Sequence, residues 1–159
     1  MPSSAISSKL EQYGRGFDEL SNVLNDIPKE ARNWKAAPDK WSIHEIIIHI
    51  VDSEVHGFIR CRFAIAQPGI TILPYDQEKW TAALNYDRQD TGENIQLFKF
   101  LHSTTFRLLK SIGEESWTHT FMHPERGKMT LEDWLDSYND HLSRHIGQIK
   151  RTCEAWEKR

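Results

Sequence analysis

The chain has 159 residues, 38% of them hydrophobic and 27% charged, with a net charge of -3 when His is neutral. That length is expected to form one domain over residues 1–159 with a proper buried core, and that charge excludes the concentrated basic surface needed for nonspecific nucleic-acid binding. The longest apolar run, Ile46-Ile47-Ile48, is broken by His49, far short of the roughly 20 apolar residues of a membrane span.

The first helical pattern runs from about Ser4 to Asp26. Ile6, Leu10, Tyr13, Phe17, Leu20, Leu24 and Ile27 recur every three or four residues, which is one face of an amphipathic helix, and Pro28 ends it. No basic segment followed by an apolar one precedes it, so no signal peptide is expected.

The second helix is predicted from about Ser42 to Gln67. Ser42 with Glu45 forms a capping box, and Trp41 with Ile46 a hydrophobic staple; Pro68-Gly69 stops it. Its apolar residues, Ile43 through Val51 and on to Phe58, Ile59, Phe63 and Ile65, cover most of the circumference, which makes it the central helix. Between this helix and the next, Ile70 to Asp90 has room for a short helix near Gln77–Leu84.

The third helix spans about Glu93 to Ile112, with Phe98, Leu101, Thr105, Leu108, Leu109 and Ile112 as its stripe and Gly113 to close it. The segment Trp117 to Met129 holds the turn signature His123-Pro124-Glu125-Arg126-Gly127 and no convincing strand pattern. The fourth helix runs from about Leu131 to Glu157 behind the cap pair Thr130 and Asp133. Its stripe is Leu131, Leu135, Tyr138, Leu142, Ile146, Ile149, Cys153 and Trp156. Four apolar-faced helices predict an all-α four-helix bundle whose long loops wall a pocket. Cys61 and Cys153 fall in helices without a framework spacing and are expected to be reduced, buried thiols of a cytoplasmic protein.

Eight His and six Trp are many for this length, though most are accounted for as surface His and core Trp. The informative pair is His141 and His145. A spacing of four puts both imidazoles on one helix face about a turn apart, the way a helix offers two nitrogens to one metal ion. With Leu142 at the centre of the stripe, His145 lies about 60° and His141 about 100° to one side, where a bundle's inward-facing ligands sit. His49 lies about 100° from Ile50 on the second helix, sharing a flank with Ser53, His56 and Arg60. Three neutral imidazoles from two neighbouring helices would leave one position for water or substrate, and such open sites are more often catalytic than structural.

Other histidines are set aside on geometry. His44-Glu45 followed by His49 resembles a zinc-protease motif, but that motif needs His at i and i+4. Five apart, the two diverge by about 140°, and His44, in the first turn, is expected to face solvent. His56 lies about 10 Å along the axis from His49, too far for the same ion but able to line the pocket. His102 flanks the third helix's stripe. His119 and His123 fall in a loop and are expected to be exposed, with His123 able to hang over the mouth of the site. No Gly-rich phosphate loop, serine elbow, activated Cys or Glu-x-x-His di-iron pattern appears.

Taken together, Trp41-Ser42-Ile43-His44-Glu45 through His49-Ile50-Val51-Asp52-Ser53-Glu54, Pro74-Tyr75-Asp76 with Trp80, His123-Pro124-Glu125-Arg126-Gly127, and Tyr138 to His145 with Gln148-Ile149 resemble the DinB-like superfamily, specifically its YfiT-like branch. The resemblance spans roughly residues 41–150. It implies an up-down-down-up four-helix bundle, often a homodimer, and a divalent metal, typically zinc or nickel, held by His49, His141 and His145. Gln148 stands where some relatives carry a further His. Some relatives are S-transferases using bacillithiol, mycothiol or glutathione, and others have been called metal-dependent hydrolases.

Either chemistry suits a bound metal, which lowers the pKa of coordinated water towards 7 and deprotonates a coordinated thiol outright. The leading expectation is therefore a metal-dependent S-transferase with a small-molecule substrate and a low-molecular-weight thiol as co-substrate. His56, Tyr75, Trp80 and His123 are expected to line its pocket. A hydrolase using metal-activated water, and a non-catalytic bundle with a structural or sensing metal, are the alternatives.

Overall fold

Capping chemistry sets where the long helices begin. In the computed structural model, which describes residues 2–159, the helices are α1 (Ser4–Gly14), α2 (Gly16–Asn25), α3 (Ile43–Ala66), α4 (Gln77–Ala83), α5 (Thr91–Ser111) and α6 (Leu131–Glu157). Two strands, β1 (Thr120–His123) and β2 (Gly127–Thr130), lie between α5 and α6. Both expected capping boxes form. Ser42 Oγ accepts the Glu45 N–H at 3.1 Å while Glu45 Oε2 accepts the Ser42 N–H at 2.8 Å, and Thr130 with Asp133 repeats the pattern at α6. Asp90 caps α5 by accepting the Glu93 N–H at 2.7 Å, which moves its start to Thr91.

The expected first helix is split at Arg15 into α1 and α2. The Tyr13 carbonyl accepts a hydrogen bond from His102 Nε2 at 2.5 Å, which competes with the helical ladder at that turn. The break also lies where the chain runs close to its neighbours. A Cβ on Gly14 would come within 2.7 Å of the Phe106 ring, and one on Gly16 within 2.7 Å of Leu142. Only glycine allows that approach.

Two core clusters fix the topology. One joins Leu20 and Leu24 of α2, Ile46 and Ile50 early in α3, Phe98 early in α5, and Ile146 and Ile149 late in α6. The other joins Ile6 and Leu10 of α1, Cys61 and Ala64 late in α3, Leu109 late in α5, and Leu131 and Leu135 early in α6. The pair α1–α2 and α6 therefore run one way and α3 and α5 the other, an up-down-down-up four-helix bundle. Ile43, Ile46, Ile47, Ile48, Ile50 and Val51 of α3 are all buried, each contributing about 1.5–3 kcal/mol through apolar burial. That confirms α3 as the central helix. Among the described residues no helix is long and apolar enough to cross a membrane.

One element departs from the sequence reading, which finds no strand. β1 and β2 pair antiparallel, Thr120 opposite Thr130 and His123 opposite Gly127. Gly127 has φ 77°, a left-handed conformation that glycine adopts without cost. Four-residue strands are too short for a period-two signal, and much of the support is distant in sequence. Gly69 N donates to Thr120 O at 2.7 Å, Met122 N to Ile70 O at 2.9 Å and Ile72 N to Met122 O at 3.0 Å. The hairpin thus straps the loop after α3 against the bundle. The short helix α4 forms where expected, capped by Asp76.

Candidate metal centre

Three imidazoles meet between α3 and α6. His49 is fully buried, and His141 and His145 are half-buried. His49 Nε2 lies 3.1 Å from His141 Nε2 and 3.2 Å from His145 Nε2. Nitrogens coordinating one zinc-like ion at about 2.1 Å in a tetrahedron stand about 3.4 Å apart, so the triangle fits a shared cation. One proton on His49 Nε2 could satisfy only one of its two neighbours. Among the described residues no carboxylate or thiol joins this group. His49 sits on the flank of α3, yet it is fully buried because neighbours cover that flank. The Trp41 ring lies 4.9 Å away, and Tyr75 Oη lies 3.5 Å from His49 Nδ1.

The surroundings prepare the rings as neutral donors. His145 Nδ1 donates to Gln148 Oε1 at 2.8 Å, which leaves the Nε2 lone pair facing inward. Burial, reinforced by His145, pushes the His49 pKa down to about 3. Burial, with His145, His49 and Arg144 adding to it, pushes His141 down to about 2. Burial also lowers His145, against its bond to Gln148. Neutral imidazole is the form that binds metal.

Around the triangle, His56 stacks on Tyr75 with ring centroids 4.0 Å apart, and Trp80 stands edge-on to both at 4.6 and 5.1 Å. These three expected pocket residues form one aromatic cluster. His123 is half-buried and separate from it, on β1, in a small cavity with Arg60, Arg126 and Tyr138.

Comparison with known proteins is consistent with this arrangement. The DinB superfamily matches residues 12–149. The chain belongs to the DinB superfamily. Among its relatives, an Oceanobacillus iheyensis protein provisionally named a metal-dependent hydrolase is 26% identical over 135 residues, covering 85% of this chain and 78% of that one. A Bacillus cereus protein with the same provisional name is 28% identical over 132 residues, covering 83% and 76%. Of solved structures, YfiT from Bacillus subtilis, described as a four-helix bundle of unusual topology, superposes with a TM-score of 0.89 at 19% identity, covering 99% of this chain and 90% of that one. A mycothiol-dependent maleylpyruvate isomerase superposes with a TM-score of 0.74 at 11% identity, covering 91% and 60%.

Within this DinB bundle other histidines differ from expectation. His44 is not solvent-facing but buried. Its Nδ1 lies 2.6 Å from Thr91 Oγ1 and its Nε2 2.6 Å from the Tyr86 carbonyl, because the turn at residues 86–88 folds over the start of α3. His119 is half-buried, and its Nδ1 is buried without a partner. His102 lies in the core, its Nδ1 2.9 Å from Glu54 Oε1, which also accepts the Tyr13 O–H at 2.6 Å.

Sequence reasoning passed over several groups near the site. Gln148 stood out only as a missing ligand, although its i, i+3 spacing from His145 was a usable signal. Arg60 and Asp52, on the same helix as His49, were noted only by position, with no role assigned to either. Asp52 Oδ2 accepts the Tyr86 O–H at 2.5 Å. Cys61 is inert as expected, since burial pushes its thiol up to about 12.

Proposed function

We propose that this chain is a metal-dependent enzyme in which His49, His141 and His145 hold one divalent cation, zinc or nickel. A low-molecular-weight thiol is activated there for conjugation to an electrophile. The convergence of three neutral Nε2 atoms at 3.1 and 3.2 Å carries the metal assignment. With no fourth protein ligand in the group, one position is left for a small molecule, as in catalytic rather than structural sites. When bound, a divalent cation lowers the pKa of whatever fills that position.

The preference for thiol over water rests on the lack of a free carboxylate after His49 on α3. Metal-assisted hydrolysis is helped by a carboxylate poised to take a proton from water. The two carboxylates that follow His49 on α3 are engaged elsewhere, Asp52 by Tyr86 and Glu54 by Tyr13 and His102. A thiol begins near pKa 8.5 and water near 15.7, so a thiol needs far less help. The hydroxyl of Ser53, 3.4 Å from His141 Nε2, and that of Tyr75 are placed to orient the bound nucleophile. His56, Tyr75 and Trp80 wall the side from which an electrophile would approach.

The test has two arms. Elemental analysis of the purified protein should find about one divalent ion per chain, lost in the His49→Ala/His141→Ala/His145→Ala variant. Unchanged metal content in that variant would sink the assignment. Conjugation of 1-chloro-2,4-dinitrobenzene should then exceed background with at least one of glutathione, cysteine or cysteamine, and only with metal. The provisional names of the relatives favour a hydrolase as the second reading. Turnover of p-nitrophenyl esters without thiol, and no conjugation, would select it.

A further inference from the structure

Two cavities share Arg60 and Ile72, and each has a lining residue, His56 in one and Tyr138 in the other, that packs towards the histidine triangle. The larger, about 430 Å³, is bounded by apolar Ile59, Phe63, Ile70 and Leu73 together with His56. Its size suits a small organic molecule. The smaller, about 40 Å³, has room for one carboxylate-sized group. It is lined by hydrogen-bond donors. Arg60 and Arg126 both face it. Among the described residues neither guanidinium is ion-paired with a carboxylate. Arg60 donates to the Leu73 carbonyl at 2.7 Å and also meets the Tyr138 oxygen, and Arg126 donates to Ser137 Oγ at 2.8 Å, which uses only part of the five N–H groups of each guanidinium.

Three further donors face the same space. His123 Nδ1 accepts the N–H groups of Glu125 and Arg126, each at 3.2 Å, so a neutral His123 has its proton on Nε2. Burial, with Arg60 and Arg126 beside it, lowers the His123 pKa and keeps the ring neutral. Tyr138 interacts with Arg60 through its oxygen, which leaves its own proton to donate. Trp134 lines the cavity, is 1% exposed, and has a buried Nε1–H without a partner. A buried donor left without an acceptor is destabilising, and two guanidiniums without an anion at one cavity repel each other. An anion between them would relieve both costs.

We propose that this cavity is a carboxylate-binding subsite and that the molecule processed at the metal centre is an organic acid. Its carboxylate is held by Arg60 and Arg126, with Trp134, Tyr138 and His123 as additional donors. Its apolar body lies against Ile59, Phe63 and Ile72. Two contacts link the subsite to the triangle. The Tyr138 ring stands 6.5 Å from that of His141, and His56, on the wall of the larger cavity, stacks on Tyr75 beside His49. The proposal rests on the metal-enzyme reading for what happens to the acid, but not for its binding.

Calorimetry on metal-loaded protein tests it, comparing 3-phenylpropionate with its uncharged amide. The acid should bind at least about tenfold more tightly than the amide, and that preference should vanish in both Arg60→Met and Arg126→Met. Arg126 is exposed, so its variant retains the fold even if Arg60→Met disturbs the loop it braces. His49→Ala should retain the preference. A preference that survives both arginine variants but disappears in His49→Ala places the carboxylate on the metal and overturns the subsite. Equal affinity for acid and amide in the parent protein also overturns it. Loss of metal or of conjugation activity bears on the enzyme reading alone.

Discussion

The inner ring of three histidines owes its chemistry to residues one step further out. Gln148 accepts from His145 Nδ1 at 2.8 Å and so fixes both the tautomer and the ring plane. Replacing it with Met removes the acceptor while keeping the side chain's length. Outer-shell losses of this kind typically cost 10- to 100-fold in metal affinity. Gln148→Met should therefore bind zinc at least about tenfold more weakly in a chelator competition, whereas Gln148→Glu, which keeps an acceptor oxygen, should restore it. Equal zinc affinity in Gln148→Met would mean that the helix backbone alone orients His145. At this scale the sequence was informative about which histidines cluster and poor about their supports. A ligand pair announces itself by a spacing of four, but an acceptor for a ring N–H can be any of several residue types. The partners of His44, Thr91 and the Tyr86 carbonyl, lie more than forty residues away, and no local pattern reveals them.

Helices and their starts were legible because their causes are local: the stripe period, the capping box, the proline after the end. The β-hairpin was not, because its four-residue strands are held by pairing with each other and with the loop after α3. The break at Arg15 likewise depends on a histidine in another helix. Close packing between elements also decides what a glycine is worth. Gly57 lies in the interior of α3, where Ala would ordinarily gain about 1 kcal/mol of helix propensity. Here a Cβ would meet Tyr138 Cε1 at 2.4 Å, and overpacking typically costs about 1–3 kcal/mol. The clash is with a ring wedged between helices, so we expect it to win. Gly57→Ala should lower Tm by a few degrees, at about 2–4 °C per kcal/mol for a chain of this size, and should weaken zinc binding because Tyr138 is one turn from His141. A Tm at or above the parent's would show that Tyr138 moves aside freely and that α3 and α6 are less tightly registered than the geometry implies.

Across the whole molecule the three clustered histidines and His102 respond to pH in opposite senses. His49, His141 and His145 have lowered pKa values in the folded chain. Above about pH 6.5 they are neutral whether folded or not, and their effect on stability is nil. Below that the unfolded chain takes up protons that the folded chain refuses, so stability falls with pH, by up to about 1.4 kcal/mol per unit for each ring. His102 behaves in the reverse sense. Burial pulls its pKa down, but the Glu54 carboxylate and the Tyr13 carbonyl outweigh that and raise it. Both of its nitrogens face acceptors, so both must carry protons. Its contribution is complete below about pH 6.5 and is lost as pH rises through its folded value. Metal-free protein should therefore be most stable between these limits, with an acid limb to which the three clustered histidines contribute and an alkaline limb set by His102. Urea unfolding of chelated protein from pH 4.5 to 9 separates them. His141→Ala should flatten the acid limb. His102→Gln should flatten the alkaline limb and lower stability throughout by about 3–5 kcal/mol, since Glu54 would be left buried without its cation. The Glu54→Gln/His102→Gln pair should recover part of that loss, because no buried charge remains. An alkaline limb unchanged in His102→Gln would mean that His102 is neutral and that the core contains no ion pair.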